Sequence, residues 1–86
     1  MEKYIVICPR YLHIDKKSLP VSIYMTIYDS DGEDITSKSK FEIDGNSDLI
    51  KVTKNKVSFN KNLGSGTYKI IGTHNNMSSN SFVHVD

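Results

Sequence analysis

Disulfides, tryptophan and any charge excess are all missing from this 86-residue chain, which has one cysteine, no tryptophan, two prolines and a net charge of only +1. A lone Cys8 cannot close an internal bridge, so a disulfide-stapled secreted scaffold is excluded and the core has to hold by packing. No His or Lys flanks Cys8 in "YIVICP", and the expectation there is a buried thiol with no reactive role. Eleven basic against ten acidic side chains give no global field toward nucleic acid or an anionic membrane. No apolar run approaches a membrane span, and "MEKYIVIC" is too short in its apolar part for a signal peptide. The expectation is therefore a protein made in the cytoplasm as one domain over residues 1–86. At that size folding buries only roughly two-thirds of the surface the unfolded chain exposes.

What the chain does have is a period of two. Short runs rich in β-branched and aromatic residues alternate with Gly, Asn, Asp and Ser, which is the pattern of an all-β domain. Strands are expected near Tyr4–Cys8, Tyr11–Ile14, Val21–Asp29, Lys40–Asp44, Leu49–Thr53, Val57–Asn60, Thr67–Thr73 and Ser81–Val85. Residues 1–10 read as an extended first strand or as an arm that pairs elsewhere. In "PVSIYMTIYD" the alternation places Val21, Ile23, Met25 and Ile27 on a core face and Tyr24 and Tyr28 on the other. Phe41 and Ile43 point inward by the same logic. "TKNKVSF" predicts a tight hairpin about Lys54 and Asn55, and Asn75–Asn76 supplies the left-handed conformation of a second two-residue turn. Seven to eight antiparallel strands at this spacing predict a β-sandwich.

The most concentrated chemistry is "YDSDGEDIT", where Asp29, Asp31, Glu33 and Asp34 crowd around Gly32. An EF-hand loop needs glycine at position 6 and glutamate at position 12, whereas counting from Asp29 puts Gly32 at 4 and Lys40 at 12. The stretch therefore reads as an Asp-Gly turn with no metal expected, a looser calcium site built from those four carboxylates being the alternative reading. His13, His74 and His84 lie far apart and lack the spacing that would place two ligands on one face, so they read as separate exposed histidines. Ser65 in "LGSGTY" does not complete a nucleophile elbow, and "GSG" runs into a strand rather than the helix a phosphate cradle uses. "KVTKNKVSFNKN" sets three lysines around Phe59, but Phe59 falls on the core face, so nucleic-acid binding is not expected. No catalytic residue and no cofactor are expected. The contact candidates are Tyr24 and Tyr28, which parity turns outward and whose amphipathic bulk is common at interfaces, Ile71, which leaves the core side of its strand by the same parity, and Tyr11.

Three stretches resemble the bacterial immunoglobulin-like domain found in bacterial surface proteins and phage structural proteins: "VSIYMTIYDSDGEDIT", "FEIDG" and "GSGTYKIIGT". The resemblance spans about Leu12 to Val85. It implies an immunoglobulin-like sandwich without a disulfide, with Phe41 where the family often carries a core tryptophan. It also implies that Tyr68 is the corner tyrosine, with Ile70 where disulfide-bonded members have cysteine. The role it implies is a non-enzymatic virion accessory, such as a capsid decoration or auxiliary protein binding the major capsid protein or a neighbouring virion protein. Homo-oligomerisation on the particle is compatible with that role, and location in the virion follows from it. The alternatives are a carbohydrate- or cell-surface-binding module carried on the virion, and a small phage protein that binds a host protein.

Overall fold

The computed structural model describes residues 3–45 and 48–86, so Met1 and Glu2 of the leading segment lie outside the described residues. The described elements are nine strands and two single 3-10 turns, Lys16–Ser18 and Thr36–Lys38. The strands are β1 (Ile5–Cys8), β2 (Tyr11–Ile14), β3 (Val21–Tyr24), β4 (Thr26–Asp29), β5 (Lys40–Ile43), β6 (Ile50–Thr53), β7 (Lys56–Phe59), β8 (Gly66–His74) and β9 (Met77–Val85). They form three sheets, ordered β1-β4, β2-β9-β8-β5 and β3-β7-β6. The all-β expectation holds, and Cys8 is unpaired.

Inward-facing residues of all three sheets meet in one cluster that includes Ile5, Ile7, Met25, Ile27, Val57, Phe59, Ile70, Val83 and Val85. Phe41, Ile43, Val21 and Ile23 pack on it while keeping part of their surface exposed. The molecule is elongated, with Cα extents of 43 × 19 × 19 Å.

Local chemistry sets the two hairpins. Asn75 and Asn76 have φ of 47° and 66°, the double left-handed geometry that matches strand twist in a two-residue turn. Pairing then begins at once with His74 opposite Met77, so β9 starts at Met77 rather than at the expected Ser81. Between β6 and β7 only Lys54 takes a positive φ, 54°, with Thr53 opposite Lys56.

The structure corrects three expectations. First, the continuous strand Val21–Asp29 is two strands that pair with different partners, β3 with β7 and β4 with β1. The break falls at Met25, whose N–H donates to the Asn55 carbonyl at 2.8 Å and whose carbonyl accepts from Asn55 Nδ2 at 3.0 Å. Side-chain parity survives the break: Met25 and Ile27 are buried, and Tyr24 and Tyr28 are exposed.

Second, the strands are nine among the described residues and not all antiparallel, because β2 runs parallel to β9. The leading segment changes sheets at Pro9–Arg10. Proline has no N–H to give a ladder, and the Arg10 carbonyl accepts from the Phe82 N–H at 2.9 Å to begin the parallel pairing. The free edge of β1 is held by serines of β9: Ser79 Oγ accepts from the Ile7 N–H at 3.1 Å, and the fully buried Ser81 donates its Oγ–H to the Pro9 carbonyl. Within the described residues, Ile5–Cys8 of the leading segment is thus a strand of the fold, followed at once by β2.

Third, Cys8 is half-buried rather than buried. Alternation within β1 gives the two buried places to Ile5 and Ile7, which leaves Val6 and Cys8 on the other face.

Candidate functional site

The outward face of the four-stranded sheet is laid out by register. Parallel pairing sets Tyr11 beside Phe82 and His13 beside His84, and antiparallel pairing continues these rows to Lys69 and Thr67 on β8. A further row runs Asn80, Ile71, Glu42. The aromatic row is open to solvent, with Tyr11 62% and Phe82 43% exposed. Lys69 closes that row through an ion pair at 3.5 Å to Asp44, a half-exposed contact of the kind that contributes about 0–1 kcal/mol. Phe82 is absent from the sequence candidates although the signal was there: with Val83 and Val85 inward, parity turns Phe82 and His84 outward.

The four contact candidates therefore fall on two faces. Tyr11 and Ile71 belong to the four-stranded sheet, and Ile71 is half-buried between its neighbours. Tyr24 and Tyr28 stand on β3 and β4, opposite Lys56 and Val6 respectively.

The acidic stretch folds into a turn in which Asp29 and Asp34 use their carboxylates internally. Asp29 Oδ1 accepts from the N–H groups of Asp31 and Glu33, both at 2.9 Å, and Gly32 sits at φ +84°, a conformation glycine adopts without strain. Asp34 Oδ1 accepts from both the hydroxyl and the N–H of Thr36, while Thr36 Oγ1 accepts from the Ile27 N–H. Those two Thr36 bonds, the hydroxyl first, hold the Asp34 carboxyl below its ordinary 3.8. A folded value below the unfolded one adds stability above the unfolded value, and that stability is lost as pH falls through the folded value. Melting temperature should therefore drop as pH is lowered past 3.8, and Asp34→Asn should flatten part of that drop. Melting curves for both proteins on either side of that pH check it. Superimposable profiles would mean that the Thr36 bonds do not link folding to pH.

The histidines behave differently from their sequence reading. His13 and His84 are stacked, with ring centroids 5.7 Å apart and planes 14° from parallel, and both point a nitrogen at Asp86. His13 Nε2 lies 2.8 Å and His84 Nε2 3.9 Å from the same oxygen, Asp86 Oδ1. His84 Nδ1 is 3.0 Å from Thr67 Oγ1. His74 does not join them. It sits at the other end of β8 from Thr67, roughly 23 Å along the strand, with Nδ1 3.1 Å from the Lys38 carbonyl.

No protein-family model matches this chain, and no curated protein matches it at a meaningful level.

Proposed function

We infer that the chain is an immunoglobulin-like β-sandwich acting without catalysis as a docking module, a virion accessory that decorates a phage capsid or covers a neighbouring virion protein. Two features support the fold reading. The leading segment divides between two sheets and its second half runs parallel to the last strand, so one group of strands is β1, β4/β3, β7, β6 and the other is β2, β9, β8, β5. The Tyr68 hydroxyl donates to the Gly64 carbonyl at 2.7 Å, a bond back to the backbone just upstream of its strand, as a corner tyrosine makes. A fold hosts many functions, so the docking role rests on the surface.

The observation that carries it is the Tyr11–Phe82 row on the outward face of the four-stranded sheet. Aromatic side chains are enriched at the centres of interfaces and lose little rotamer freedom on binding. The face is spanned by four strands, the two central ones nine residues or roughly 30 Å long, an area of the same order as the about 800 Å² per partner of a standard interface. Many copies on one particle would add avidity.

The test is cosedimentation with capsids that lack the protein. Wild type and Tyr24→Ala/Tyr28→Ala are expected to pellet in proportion to capsid subunits. Tyr11→Ala/Phe82→Ala is expected to bind roughly thirtyfold more weakly or worse, at about 2 kcal/mol for a central aromatic. Loss confined to the Tyr24/Tyr28 pair would move docking to the side of the molecule that carries β3 and β4. Failure of every form to pellet, with glycan binding that depends on the tyrosines, would replace the capsid reading with a cell-surface module.

A further inference from the structure

We propose that His13, His84 and Asp86 form a surface site for a divalent transition-metal ion of the zinc class. The inference stands apart from the docking reading, since it rests on three side chains at one end of the sheet.

The backbone builds the site. Parallel register places His13 directly beside His84 on the outward face. Asp86 follows two residues after His84 and so shares its parity. Its N–H donates to the Ile14 carbonyl at 3.2 Å, extending the β2–β9 ladder and presenting the carboxylate to both rings. The three candidate ligand atoms all lie within 4.8 Å of one another. Tetrahedral zinc, with bonds near 2.0–2.2 Å, separates its ligand atoms by roughly 3.3–3.5 Å. The observed separations, from 2.8 Å upward, bracket that value. The side chains are 41–56% exposed, so small rotations bring them to it without repacking the core.

Thr67 is placed to orient one of the two rings. When His84 Nδ1–H donates to Thr67 Oγ1, the lone pair on Nε2 is left facing Asp86, as a metal-bound histidine requires. Thr67 is the residue opposite His84 on β8, so this orienting bond is set by the same register. Two imidazoles and one carboxylate suit zinc, copper, nickel or cobalt, whereas calcium and magnesium demand an oxygen cage that this group lacks. Three protein ligands leave a fourth position to water.

The experiment uses the full chain without a polyhistidine tag, titrated with zinc chloride at fixed pH by calorimetry and followed by the imidazole ¹H–¹⁵N signals. Saturable one-to-one uptake is expected, with His13 and His84 signals shifting and His74 unmoved. His13→Ala and His84→Ala should each abolish saturation, and Thr67→Val should weaken binding roughly tenfold or more. His74→Ala should match wild type, and calcium chloride should give no saturable heat. All substitutions are on exposed or half-exposed side chains, and each variant's metal-free melting curve confirms folding. Absence of saturable zinc uptake by folded wild type would overturn the proposal and leave the group as a stacked histidine pair beside Asp86. So would uptake that survives His13→Ala/His84→Ala.

Discussion

Phe59→Ala is expected to remove much of the stability of this chain. Phe59 is 1% exposed and sits on β7, the middle strand of its sheet, opposite Val21 on one side and Ile50 on the other. Truncating a buried phenylalanine costs about 3–5 kcal/mol, because the lost transfer energy adds to that of the cavity left behind. A chain of this length has roughly 4–13 kcal/mol of total stability. The variant should therefore melt roughly 12–40 °C lower, or fail to fold at all if wild type lies near the bottom of that range. Tyr24→Ala is the control: the side chain is 66% exposed on the opposite face, and a change within about 0.5 kcal/mol is expected. Thermal and urea melts of the three proteins give the comparison. A Phe59→Ala protein that melts within a few degrees of wild type would mean that the three-stranded sheet closes over the gap. In that case the stability would reside in the four-stranded sheet. The same measurement bears on function, since a Phe59 that served as a stacking platform between lysines would be exposed and cheap to remove.

Most of the strand pattern was legible because side-chain alternation is local. Val57 and Phe59 inward, Tyr24 and Tyr28 outward and the Asn75–Asn76 turn all follow from neighbours within a few residues. Sheet membership is not local. Nothing between Val21 and Asp29 marks Met25 as the point where the chain trades β7 for β1, because the cause is Asn55, thirty residues away in sequence. The parallel β2–β9 pairing is equally silent, and with it goes the histidine pair, since His13 and His84 become neighbours only through that register. "SSNSF" reads as a polar stretch, yet Ser79 and Ser81 face inward because the edge of β1 supplies partners for their hydroxyls. Of the candidate site, Tyr11, Tyr24 and Tyr28 were accessible to parity. Phe82 was accessible too, but only by applying parity to the last strand as strictly as to the third.

Gly72 is the other position where a small change should have a large effect. It lies in the interior of β8, buried, opposite Phe41 on β5 and Ser79 on β9. Glycine within a strand normally costs about 0.5–1 kcal/mol relative to alanine, so its presence there needs a reason. A Cβ at Gly72 would stand 2.5 Å from Ile27 Cδ1 and 3.3 Å from Ile7 Cδ1. Both isoleucines are fully buried, so either methyl can move only by shifting against the core packed around it. Forced overpacking of this kind costs about 1–3 kcal/mol, which exceeds the backbone gain. Gly72→Ala should therefore be destabilising, and Gly72→Val more so because its two γ-methyls enter the same contact. The cause can be isolated by shortening the opposing side chain. Ile27→Val alone should cost about 0.5–1.5 kcal/mol. Combined with Gly72→Ala it should cost less than the sum, with a coupling of at least about 0.5 kcal/mol. Additive losses would place the penalty elsewhere than in the Gly72–Ile27 contact. A Gly72→Ala protein as stable as wild type would show that β1 and β4 can move away from β8, so that the close approach of the two sheets at this point is loose enough to absorb a methyl group.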